Sequence, residues 1–134
     1  LDTERFVKKH GIDFNFNSHF PINTLNLMRG AVYAKENGFF EDYVKVIFKS
    51  MWVDNKKMDE LDVIKTVLEE NKLPAQRIFE GTQDQNIKSK LIENTAKAVE
   101  DGLFGVPSFL IDNELFFGKE TLQDVEDLIK GKVA

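Results

Sequence analysis

Apolar positions along this chain recur with two different periods, and the switches between them mark the elements. Over Leu1 to His10, Phe6 and Val7 sit among charges and Gly11 follows, the pattern of a short helix closed by a glycine. Ile12, Phe14 and Phe16 then alternate with Asp13, Asn15 and Asn17, the two-residue period of a half-buried strand or extended segment. Ser18 to Asn23 reads as loop, because Pro21 fixes its own φ and disfavours helix at Phe20.

From Thr24 the helical period takes over. Leu25, Met28, Val32 and Tyr33 make one apolar stripe, which Asn37-Gly38 stops. A second helix is expected from Glu41 to Trp52 with Tyr43, Val44, Ile47, Phe48 and Met51 inward. A third starts near Asp59 and Asp62, carries Leu61, Ile64, Val67 and Leu68, and closes at Lys72-Leu73-Pro74. Pro74 to Glu80 adds one or two turns. Gln83 to Asp101 reads as a long helix burying Ile87, Leu91, Thr95, Ala98 and Val99. At Gly102 the character changes: Ser108 to Ile111 and Glu114 to Phe117 read as two strands joined by Asp112-Asn113, residues that tolerate positive φ. Glu120 to Lys130 closes the chain as a helix with Leu122, Val125, Leu128 and Ile129 against the sheet. A two-stranded hairpin alone is marginal in water, so this one needs partner strands.

Composition removes several classes of function. The 134 residues carry a net charge of -5 with lysines scattered among acids, so no basic face exists for nucleic acid. No apolar run approaches the ~20 residues of a membrane-spanning helix. With no Cys, disulfides, thiolate metal sites and thiol chemistry by the chain's own side chains are excluded. His10 and His19 are the only imidazoles, so a zinc site would depend on carboxylates, and no metal is expected. His10 reads as a helix-end residue and His19 as a loop residue. Asp59, Glu60 and Asp62 read as helix-start charges and Arg29 as a surface residue. Tyr33, Phe39, Phe40, Phe48 and Trp52 read as core, or as the wall of an aromatic pocket.

The stretch Gly102-Leu-Phe-Gly-Val-Pro-Ser-Phe-Leu-Ile-Asp-Asn-Glu-Leu-Phe-Phe-Gly118 carries the most information. Proline cannot donate to a ladder, so Pro107 belongs at a strand start, where a cis Val106-Pro107 bond would turn the backbone sharply. Val-Pro before a hairpin and a closing helix resembles the cis-proline end of the thioredoxin fold. With the preceding Gly-Leu-Phe-Gly it resembles 2-hydroxychromene-2-carboxylate isomerase and the kappa-class glutathione transferases. Phe20-Pro21-Ile22-Asn23-Thr24-Leu25, followed by Met28-Arg29, resembles the opening of that family's helical insertion.

The resemblance implies an α/β chain of thioredoxin-like fold, DsbA/kappa type, with an all-helical insertion. Residues 1–22 would end the N-terminal thioredoxin-like part, 23–82 would be the insertion, and 83–134 the C-terminal α-β-β-α part. The family's N-terminal β-α-β, with the first-helix Ser or Cys that addresses the glutathione sulfur, has no counterpart in these residues, so the chain alone is expected to be inactive. The resemblance also implies glutathione as cofactor. The backbone of Val106, beside Pro107, pairs with its cysteinyl backbone. Lys119 and Glu120, at a helix start, hold its γ-glutamyl end. Thr121 stands where family members have Arg, and Lys119 could compensate. Asn23 matches the asparagine lining the substrate cavity; from its residue type alone it is equally a helix N-cap.

The implied activity is reversible glutathione addition to a conjugated small aromatic carboxylate, in a cytoplasmic enzyme whose relatives commonly form homodimers. Two other classes compete: a DsbA-type thiol-disulfide oxidoreductase, which needs a Cys-x-x-Cys upstream, and a non-catalytic thioredoxin-like remnant.

Overall fold

The computed structural model describes residues 2–133, so Leu1, where the first helix was expected to begin, and Ala134 lie outside the described residues. Seven α-helices and one hairpin follow in order: α1 Asp2–His10, α2 Leu25–Glu36, α3 Phe40–Trp52, α4 Leu61–Glu70, α5 Ala75–Gln83, α6 Gln85–Glu100, β1 Ser108–Ile111, β2 Glu114–Phe117, a 3-10 turn Lys119–Thr121, and α7 Leu122–Val133. They form two compact units, one reaching to Leu91 and one starting at Ile92. None of the described helices is long and apolar enough to cross a membrane.

In the first unit, α1 ends at Gly11, whose φ of 61° lets the Ile12 N–H reach back to the Val7 carbonyl at 3.1 Å. The alternating segment after it forms no strand. It is held extended by its asparagines: the Asn15 amide donates to the Val53 carbonyl at 2.7 Å, and Asn17 donates to the carbonyls of Met51 and Lys56, both at 2.8 Å. The pattern expected Ile12 and Phe16 inward, yet they are exposed and Asn17 is the buried residue, 1% accessible. Main-chain carbonyls at the end of α3 need donors, and an amide side chain supplies two. Trp52 lies among Phe14, Phe16 and Phe20, with ring centroids 5.7 to 6.1 Å away.

α2 buries a different face from the one its large side chains suggest. Leu25 and Met28 are exposed; Leu27, Gly30 and Ala34 are buried. The reason is close helix approach. A Cβ on Gly30 would lie 2.3 Å from the Tyr43 hydroxyl of α3, and one on Gly81 of α5 would lie 2.3 Å from the Tyr33 ring of α2. Large rings on one helix fill the space left by glycine on the next. The Tyr43 hydroxyl donates to the Leu27 carbonyl at 2.9 Å. Of the expected inward residues on α3, Tyr43 and Met51 are buried, whereas Phe48 is exposed, as is Phe40. The α4 face is as expected, with Ile64, Val67 and Leu68 buried; the exception is Leu61, which is exposed. In α6 only Ile87 is fully buried, and Thr95 and Val99 are exposed.

In the second unit the strands take the expected residues. β1 and β2 pair antiparallel with Ser108 opposite Phe117 and Ile111 opposite Glu114. Asp112 and Asn113 have φ of 48° and 67°, the positive values a two-residue hairpin turn requires. The closing helix starts later than expected, at Leu122, because the 3-10 turn over Lys119–Thr121 precedes it. Val125 is its buried apolar residue, at 8% accessible.

Candidate functional site

Four of the five expected site residues meet in one place. The Gly118 N–H donates to the Pro107 carbonyl at 2.9 Å, which ties the turn carrying Lys119 and Glu120 to the proline beside Val106. Both the Val106-Pro107 and Phe20-Pro21 peptides are cis; the sequence had pointed to the first alone. Gly118 sits at φ 93°, a conformation that side-chain-bearing residues rarely adopt, so the turn needs glycine. Asn23, the fifth, belongs to the first unit.

Val106 is 88% accessible, and among the described residues neither its N–H nor its C=O has a hydrogen-bond partner. An exposed residue with both backbone groups open, next to a hairpin, is one to which a peptide backbone can add.

The turn at Lys119–Thr121 is more occupied than a free helix start. Thr121 donates its N–H at 3.2 Å and its hydroxyl at 2.8 Å to the Gly118 carbonyl, and the Leu122 N–H bonds the Lys119 carbonyl. The helix-start N–H groups of Thr121 and Leu122 are therefore used within the chain. Glu120 keeps an exposed carboxylate able to face an ammonium group, and Lys119 pairs with it. Thr121 is fully engaged in the turn.

Asn23 accepts the Leu25 N–H on Oδ1 at 3.0 Å, an Asx turn just ahead of α2; the N-cap position is Thr24, which makes no side-chain cap bond, so Asn23 is not the cap. The reading missed the Phe104–Phe117 pair, whose rings lie 4.7 Å apart beside this edge. The available signal was the unexplained Phe within Gly-Leu-Phe-Gly. His10 packs on the Phe6 ring at 4.3 Å, and the His19 N–H donates to Asn17 Oδ1 at 2.8 Å. Arg29 is half-buried on α2. No cluster of three His, Asp or Glu side chains capable of holding a cation occurs among the described residues.

A family model described as a DSBA-like thioredoxin domain matches residues 2–130. The chain is 24% identical over 123 residues to 2-hydroxychromene-2-carboxylate isomerase of Pseudomonas putida, covering 91% of this chain and 59% of that protein. It is 23% identical over 131 residues to the enzyme of the same name from Sphingobium xenophagum, covering 96% and 65%. A solved structure of 2-hydroxychromene-2-carboxylate isomerase superposes with a TM-score of 0.84 at 22% identity, covering 98% of this chain and 64% of that one. The chain thus spans about three-fifths of the length of these curated relatives.

Proposed function

The chain belongs to the DSBA-like thioredoxin domain family, and from that premise we propose that it serves a glutathione-dependent isomerisation of the 2-hydroxychromene-2-carboxylate type. Its fold is the DsbA-like thioredoxin fold, mostly helical with a small two-stranded sheet. Relatives named as isomerases support the reaction class. The observation that carries the cofactor is the open backbone of Val106 beside Pro107.

In this reading Val106 donates its N–H to a ligand carbonyl and accepts a ligand N–H on its own carbonyl. Glu120 faces the γ-glutamyl ammonium and exchanges its pairing with Lys119 for it. Asn23, in the first unit, keeps Oδ1 on the Leu25 N–H, which leaves its two amide hydrogens as donors. Bound glutathione would supply the sulfur nucleophile, adding reversibly to the conjugated double bond and leaving with the same electron pair. The chain's share is positioning and electrostatics, the work a protein does around a cofactor that carries the chemistry. Dithiol exchange would need a Cys-x-x-Cys beyond these 134 residues; the relatives named as isomerases are what favour isomerisation.

The test is the isomerisation rate of 2-hydroxychromene-2-carboxylate, followed by absorbance, on the protein purified from the cells that make it, with and without glutathione. Turnover that needs glutathione is expected. A rate indifferent to glutathione, or reduction of disulfides in place of isomerisation, would overturn the proposal.

A further inference from the structure

Phe104 is 74% accessible, an unusual setting for a phenyl ring, and Val106 two residues on is 88% accessible; among the described residues these are the two most exposed large apolar side chains. The ring is not loose. The Gly102 and Leu103 N–H groups bond the Val99 and Ala98 carbonyls at 3.0 and 2.9 Å, anchoring the loop before it. After it, the Ser108 hydroxyl donates to the Gly105 carbonyl at 2.6 Å. Gly105 has no room for a side chain, since a Cβ there would lie 2.8 Å from the Phe117 ring. Phe104 leans on Phe117 at 4.7 Å with the ring planes 43° apart, and Phe117 is itself 45% accessible. Both tilted rings are partly bare, and the loop that carries Phe104 also carries the open backbone of Val106.

We propose that Phe104 is a specificity-determining residue, its ring with that of Phe117 forming a platform for an aromatic group carried by the ligand whose backbone pairs with Val106. The inference rests on the reading of that edge as the glutathione site. A planar ring gains offset or edge-to-face contact with both phenyl faces, and the preset loop loses little freedom on binding it. A short alkyl group reaches only one of them and gains correspondingly less.

The test compares S-benzylglutathione with S-methylglutathione by calorimetry on the wild-type chain, Phe104→Ala and Phe104→Tyr. The wild type is expected to favour the benzyl derivative roughly tenfold, the scale of one aromatic contact plus its buried area. Phe104→Ala should bring the ratio to within about twofold and Phe104→Tyr should keep it, with S-methylglutathione affinity the same in all three. That constancy is what a merely structural role for Phe104 would not give. A benzyl preference that survives Phe104→Ala, or is missing from the wild type, overturns the platform and leaves the glutathione edge standing. Failure of both derivatives to bind overturns the edge and the platform with it.

Discussion

Asn17 joins three stretches of chain through one amide. Its Nδ2 serves the Met51 and Lys56 carbonyls and its Oδ1 accepts the His19 N–H, all at 2.8 Å and all in a side chain 1% accessible. Asn17→Ala removes the amide and leaves main-chain groups without partners, so a loss of about 3 kcal/mol is expected as a lower urea midpoint with unchanged slope. A variant as stable as wild type would show that water replaces the amide at no cost. Tyr43 is the other residue whose chemistry reaches beyond its own contacts. Burial disfavours its phenolate and pushes its pKa well above the ordinary value. Its neutral form is therefore favoured by folding, so the contribution is complete below about pH 10 and is lost as pH rises beyond it, by up to about 1.4 kcal/mol per pH unit. The stability difference between wild type and Tyr43→Phe, measured at about pH 8 and pH 11, should shift towards the variant at the higher value. Lysines titrate alike in both proteins and cancel in that difference. A constant difference would mean that the hydroxyl ionises freely in the folded state.

Between elements, small residues decide where helices meet. Gly81 admits the Tyr33 ring, and Gly131 on α7 has open space where a Cβ would go. Gly81→Ala is expected to cost about 2 kcal/mol by overpacking, whereas Gly131→Ala should gain up to about 1 kcal/mol from helix propensity. Thermal melts of the two variants moving in the same direction would contradict this account. The same feature explains what could be read in advance. The α3 and α4 boundaries and the hairpin were legible because large inward residues and paired positive-φ residues act locally. The buried face of α2 was not, since Gly30 and Ala34 add little to an apolar pattern and Gly30 gains its importance only from Tyr43 on α3. Ile12 to Phe16 alternates like a strand for the same kind of reason. Its polar members are the ones that bond inward, and alternation cannot distinguish an anchoring asparagine from a solvated one. At the candidate site, the cis peptide and the Glu120 turn lay within a contiguous motif and could be read. The Lys119–Glu120 pairing depends on geometry that spacing does not encode.

For the molecule as a whole, the two units differ in how much they bury. The first has a core running through α2, α3, α4 and α5, while the second has Val125 as its fully buried apolar side chain among the described residues. Amide hydrogen exchange should therefore be slowest in α2 to α5 and faster by several orders of magnitude in β1, β2 and α7, since opening free energies follow local burial. Equal protection throughout would show that the chain opens as one cooperative body. Trp52, the sole tryptophan of the sequence, lies in the aromatic cluster of the first unit. Excited near 295 nm, where tyrosine and phenylalanine absorb little, the protein emits from that unit alone. An unfolding curve recorded by emission follows the helical core and is blind to the hairpin. Superposed on ellipticity, it separates the melting of the two halves without any label.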